Sequence, residues 1–456
     1  TVDAGSAPTS VTVDPSGRYA YVTNEANVSQ YTIGGTGALT AMTPATVDAG
    51  SGSTSVTVDP SGRYAYVANA GSNTVSQYMI GADGALAAMS PSTAAGRAGP
   101  ASLSLARGTR AVAAVPRYAY VANYDGNNVS QYTIGSNGAL AEIAPAVGTG
   151  AGPRSVTVDP SGRYVYVANL GSIFSLGNTV SQYTIGADGT LAEIVPAVTA
   201  GLGPTSVTVD PSGRNVYVAN LGDNNVSQYT IGADGALTPM FAPTVATETG
   251  PVSVTVDPAG RYAYVANYLS NNVSPYTIGL NSQLMAIDCD PTAMGTQACT
   301  AGDGPASVTV DPSGRYAYVA NYGSANVSQY TIGADGALAP MIPNATVTAG
   351  VSPASVSVDP SGRYAYVANT DSGDVSQYTI GADGALAPML TPTVTAGVSP
   401  ASVTVDPSGK FAYVANLGGG VSAYTIDATT GALTSIGAAV AAGANPVSVT
   451  TTGTWQ

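Results

Sequence analysis

The feature that most limits what this chain can fold into is a tandem repeat. A tyrosine opening the pattern Y-V-x-N recurs at Tyr21, Tyr66, Tyr120, Tyr166, Tyr217, Tyr264, Tyr318, Tyr366 and Tyr413, at spacings of 45 to 54 residues. A period of that length is the signature of propeller blades. Read from Ser55, one unit runs SVTVDPSGRYAYVAN, then a short turn near Gly71-Ser72-Asn73, then TVSQYMIGADGALAAM and a connector rich in Pro, Thr and Gly. SVTV and RYAYV alternate with period two. The Asp-Pro-Ser-Gly between them is a turn, because proline presets φ and glycine accepts φ > 0. Ala82-Asp83-Gly84 turns the chain again, so each unit supplies four antiparallel strands, here called a to d.

Strand b places Tyr64 and Tyr66 on one face and Ala65 and Val67 on the other. A sheet this small cannot bury two apolar faces alone, so each blade needs neighbours, and ring closure is favoured over an open solenoid. The expectation is an all-β chain forming one β-propeller domain over residues 1–456. Its nine four-stranded antiparallel blades start near 10, 55, 102, 155, 206, 253, 307, 355 and 402, with seven or eight blades as the alternative. Charged residues are only 9% against 44% hydrophobic, which excludes a disordered chain. A net charge of -14 argues against nucleic acid as a partner, and without a run of about 18 apolar residues no membrane insertion is expected.

Tyr21-Val22-Thr23-Asn24, with the recurring V-D-P-S-G-R before strand b, resembles the YVTN-repeat, lactonase-like β-propeller superfamily over essentially the whole chain. That resemblance implies a propeller, usually of seven blades, in a group that includes lactonases, haem-associated enzymes, binding proteins and surface proteins. Its lactonases use a central histidine and arginine with acidic residues. This chain has no histidine to match.

The ends are out of phase with the repeat. Strand a occurs ten times, the last as a spare inner-type strand at 446–451, and Thr1-Val2-Asp3-Ala4-Gly5 matches a connector. If the spare strand takes the inner place of the first blade, residues 1–13 are freed for another molecule. Val11, Val13, Val447 and Val449 are therefore the candidates for strand exchange and self-association into a homo-oligomer or filament. A start at Thr1 suggests either removal of a leader or a piece of a longer product. Cys289 and Cys299, ten residues apart in one irregular segment, are expected to form a disulfide suited to an oxidising compartment.

Without histidine, without a second cysteine pair and without G-x-S-x-G, no catalytic, cofactor-binding or metal-binding residue stands out, and no cofactor is expected. The repeated Asp of V-D-P, at positions such as Asp159, Asp257 and Asp406, reads as turn chemistry, with one Arg or Lys per blade nearby. Sequons at Asn27, Asn128, Asn225, Asn272, Asn326 and Asn344 follow mostly from the repeat. Departures from the repeat draw attention as contact loops. They are the longer b–c turn of the fourth repeat with Ile173, Phe174 and Leu176, the cysteine loop of the sixth, and Ala106 to Pro116 in the third. The reading is a non-catalytic secreted or cell-surface structural protein, extracellular, with self-association and an unidentified small-molecule ligand. The alternative is a periplasmic or extracellular ligand-binding or lactonase-like enzyme using the central channel.

Overall fold

The structure is a computed structural model that describes residues 6, 8–14, 17–34, 38–58, 64–81, 83–95, 115–172, 175–289 and 299–454. Every described element is a strand or a turn, and each of the nine repeats contributes one antiparallel sheet. The fourth repeat is typical: Pro153–Val158, Tyr164–Ser172 and Ser175–Ile185 pair in order, and the outer strand follows in two pieces, Leu191–Glu193 and Val198–Thr199. The a–b turn is closed by the buried Asp159, whose Oδ1 accepts the backbone N–H groups of Arg163 and Tyr164, both at 2.7 Å. Gly162 takes φ +67° there, a conformation that a Cβ would strain.

The chain divides into two compact units. The smaller holds the first two repeats. Their sheets, Ser10–Val13 through Leu39–Asp48 and Ser53–Val58 through Leu86–Ala95, bury Tyr19, Tyr21 and Val28 against Val56, Val67 and Tyr78. The larger unit holds the third to ninth repeats apart from the turn residues Pro211–Arg214 and Leu280–Ser282, which group with the smaller, and its sheets form a closed ring of seven blades. Within it neighbouring blades are tied by recurring bonds, the glutamine one being absent where the sixth and ninth repeats carry Pro275 and Ala423. From the fourth repeat to the fifth, Tyr166 Oη donates to Gly235 O at 2.9 Å, Leu237 N–H donates to Gln182 Oε1 at 2.6 Å, and Val207 N–H donates to Ser155 Oγ at 3.2 Å. Between them Tyr166, Ala168 and Val180 pack on Val207, Val216, Val218 and Tyr229.

Closure is direct. The C-terminal strand Pro446–Thr454 pairs with Val115–Asn123 in the sheet of the third repeat, Ser448 opposite Ala122 and Val449 opposite Val121. Tyr413 Oη of the ninth repeat donates to Gly138 O of the third at 3.0 Å, and Tyr132 Oη of the third returns a bond to Ala441 O at 2.7 Å.

This corrects two expectations. The ring has seven blades, not nine, and the spare strand fills the inner place of the third repeat, not the first. The physical reason lies in the third repeat itself. It lacks the V-D-P-S-G hairpin that would fold its own strand a onto strand b, so the position beside Val115–Asn123 is open to the chain end. Val447 and Val449 are accordingly buried, while Ser10–Val13 pairs with Tyr19–Thr23 in its own sheet and is not freed for exchange; Val11 and Val13 there are 64% and 50% exposed.

Candidate active site in the central channel

The seven inner strands of the ring surround a cavity of about 580 Å³. Each opens with Pro-x-Ser or its equivalent, and a register shift separates the Pro from the Ser: Pro153 faces Asn169 while Ser155 faces Ala168. The skipped residue, Arg154, is the extra one of a β-bulge. Bulge and serine together line the channel at every blade. The serines have a structural part, since Ser155, Ser206, Ser253, Ser307 and Ser355 each accept the valine N–H of the next inner strand at 3.1–3.2 Å.

The bulge position differs from blade to blade. It is Thr205, Val252 and Val447 in three blades and Ala306, Ala354 and Ala401 in three more. Only the fourth repeat places a charge there, and among the described lining residues Arg154 is the sole charged side chain, with no carboxylate beside it; the chain has no histidine. Among the described residues Arg154 forms no hydrogen bond or ion pair, and its side chain is open to the channel. Enclosure by the channel walls holds its pKa below the ordinary arginine value, with Tyr124 favouring the charged form. In the fourth to ninth repeats the other cations follow the turn glycines at the far end of strands a and b. Arg163, Arg315 and Arg363 each donate Nε–H to the turn serine and lie over the adjacent tyrosine, the guanidinium carbon 4.9–5.1 Å from the ring centroid. In the fifth to ninth repeats the residue following Y-V-A-N also lines the wall: Leu221, Tyr268, Tyr322, Thr370 and Leu417.

Of the residues singled out from sequence, Val447 alone reaches this channel. Cys289 and Cys299 are joined in a disulfide, Cα to Cα 5.3 Å, on the outer side of the sixth blade where Cys299 is buried. Leu176 is 38% exposed and pairs with Gly171 in an extended b–c hairpin, while Ile173 and Phe174 lie outside the described residues, as do 106–114. The described V-D-P carboxylates are buried and committed to their turns, and Asp59 lies outside the described residues; burial raises the pKa of Asp257 despite its backbone bonds to Tyr262 and Arg261. Arg154 was missed because reading began at each SVTV. Aligning the residue before each serine exposes it as the one charge among its equivalents in the ring.

A model of the family described as "Lactonase, 7-bladed beta-propeller" matches residues 1–104, 111–391 and 382–455. The chain belongs to this family. As a seven-bladed lactonase propeller, it has the ring that the larger unit forms. Its fold is similar to that of a putative 6-phosphogluconolactonase from Bacteroides fragilis, at 21% identity and TM-score 0.63, covering 74% of this chain and 98% of that one. A putative 6-phosphogluconolactonase from Bacteroides uniformis gives 18%, 0.63, 74% and 100%, and the Pseudomonas aeruginosa periplasmic gluconolactonase 21%, 0.60, 74% and 99%. The covered share is about the fraction of this chain that falls in its seven-bladed unit. No curated protein matches. Membership in a lactonase family overturns the expectation of a non-catalytic structural or filament subunit. That expectation rested on the missing histidine and gave no weight to the arginine. Among the described residues no helix is long and apolar enough to cross a membrane.

Proposed function

We propose that this chain is a lactonase-like hydrolase that opens a sugar-acid lactone in the central channel, with Arg154 as the residue that meets the reacting group. The observation that carries the reading is one unpaired guanidinium in an otherwise uncharged channel, in a chain of the lactonase family. In lactone hydrolysis, water oxygen adds to the carbonyl carbon, the C=O electron pair moves onto oxygen, and the ring C–O bond then breaks. The departing hydroxyl takes the proton that water gives up. Arg154 donates to the oxyanion as charge develops, and an enclosed channel strengthens that interaction relative to water. With neither histidine nor carboxylate in the walls, the proton travels through water. After ring opening the same guanidinium faces the product carboxylate, a pairing that matches its fork of donors.

A periplasmic setting fits this reading. The disulfide suits an oxidising compartment, and one structural neighbour is a periplasmic gluconolactonase.

The test is the rate of δ-gluconolactone and 6-phosphogluconolactone hydrolysis by the purified full-length protein against the spontaneous rate. Wild type accelerates at least one of them, and Arg154→Ala lowers kcat by about 10²–10³-fold, the usual loss on removing an oxyanion donor. Hydrolysis at the spontaneous rate by wild type would overturn the proposal.

A further inference from the structure

Tyrosine is the commonest tie between blades in the ring, and nearly every hydroxyl is committed. Tyr120, Tyr166, Tyr264, Tyr318, Tyr366 and Tyr413 donate to turn-glycine carbonyls, and Tyr183, Tyr229, Tyr276 and Tyr330 donate to carbonyls of the preceding blade. Two tyrosines lining the channel depart from this. Tyr268 and Tyr322 follow Y-V-A-N in the sixth and seventh repeats, are half-buried, and make no hydroxyl hydrogen bond among the described residues. Their rings are 6.3 Å apart between centroids and tilted by 57°. Gly304 makes room for one of them: a Cβ there would stand 3.1 Å from Tyr268 Cε2. In a ring of seven, the sixth and seventh repeats lie two and three blades from Arg154 in the fourth. The cavity therefore has a cationic arc and, across from it, an arc with two aromatic faces and two free hydroxyls.

A polyhydroxylated ring carrying one acyl group is what such a wall recognises: the acyl oxygen on the cation, C–H edges on the aromatic rings and hydroxyls on the phenols. We infer that Tyr268 and Tyr322 are specificity-determining residues that hydrogen-bond the hydroxyls of a sugar-derived ligand whose acyl group faces Arg154. The inference rests on the lactonase reading for the identity of the acyl group, and on the tyrosine geometry alone for the sugar.

The experiment is the Tyr268→Phe/Tyr322→Phe double variant of the full chain, which removes only hydroxyls that make no hydrogen bond among the described residues, so folding is preserved. Two readouts are taken. The first is the ratio of kcat/KM for δ-gluconolactone to that for δ-valerolactone, a ring of the same size without hydroxyls; the expected fall is about tenfold per lost hydrogen bond. The second is calorimetric binding of D-gluconate and of pentanoate, which needs no turnover. Wild type prefers gluconate and the double variant loses that preference. An unchanged lactone ratio, or a wild type that binds the two acids equally, would overturn the inference. A gluconate preference that persists in the double variant would overturn it too, whereas a wild-type preference that the double variant loses, without lactone turnover by either, would remove the lactonase reading and leave this one standing.

Discussion

In the ring, the asparagine that ends each Y-V-A-N donates through Nδ2 to a strand-c serine Oγ at 2.8–3.0 Å, which accounts for its constancy, and in the seventh and ninth repeats its Oδ1 also accepts from the connector. In the ninth repeat Asn416 accepts Gly397 N–H on Oδ1 at 3.0 Å and donates through Nδ2 to Ser422 Oγ at 3.0 Å, so one buried side chain ties a b–c turn to the connector entering its blade. The contact leaves no space for a side chain on the glycine: a Cβ at Gly397 would stand 2.6 Å from Asn416 Cγ. Gly397→Ala is therefore expected to destabilise the ring by about 1–3 kcal/mol, measured as a lower denaturation midpoint with unchanged slope. The same network decides the sequons. Asn128, Asn225, Asn272 and Asn326 each accept, at 2.7–2.9 Å, from the Y-V-A-N asparagine and are half-buried, whereas Asn344 is exposed. Produced in a glycosylating secretory host, the protein should carry glycan at Asn344 and not at these four, as read by glycopeptide mass spectrometry. At this scale the turn role of Asp159 was legible, since Asp before Pro-Ser-Gly has little else to do. Arg154 was not, because bulge residues have no fixed chemistry in the repeat and one substitution does not disturb the pattern.

Strands and their order were legible because period-two alternation and Asp-Pro-Ser-Gly turns act locally. The breaks in the outer strand were not. In the fourth and seventh repeats it falls into Leu191–Glu193 with Val198–Thr199 and Leu338–Pro340 with Thr346–Thr348, whereas in the third, fifth and eighth it runs unbroken through Pro145, Pro243 and Pro392. Proline on an edge strand removes a donor and discourages pairing with another sheet, a further physical reason why the filament reading fails. The glutamine of V-S-Q-Y is the main cross-blade acceptor: Gln131, Gln182, Gln228, Gln329 and Gln377 each take a leucine N–H of the next blade at 2.6–2.7 Å. The sixth repeat has Pro275 there. Pro275→Gln offers Leu338 N–H the acceptor its equivalents have, and is expected to stabilise the ring by about 0.5–1.5 kcal/mol, seen as a raised Tm.

Ring size belongs to the whole molecule, and nine copies of nearly one sequence do not encode it. Every inner strand reads much like S-V-T-V, so local pattern cannot say which sheet receives the C-terminal copy; the missing hairpin of the third repeat decides. Buried tyrosines then set the ring's alkaline limit. Burial pushes Tyr183, Tyr229, Tyr330 and Tyr378 up to about 12 from an ordinary value of 10.0. Because the folded pKa is raised, the stability these hydroxyls contribute is intact below about pH 10 and is lost as pH rises through about 12. Loss of β circular dichroism should coincide with the rise of their tyrosinate absorbance. The division into two units makes a sharper demand. If closure by Pro446–Thr454 defines the cooperative ring, a chain beginning at Ala113 keeps a single melting transition and the channel intact, because every bond tying one of its blades to the next is made within it. A chain ending at Asn445 loses the inner strand of the third repeat, exposes the edge of Val115–Asn123 and leaves Val156 N–H without Ser448 Oγ. It should melt at lower temperature, with broadened transitions and self-association by chromatography. Equal stability of the two truncated chains would mean that the ring is held by its blade faces and that the terminal strand is dispensable.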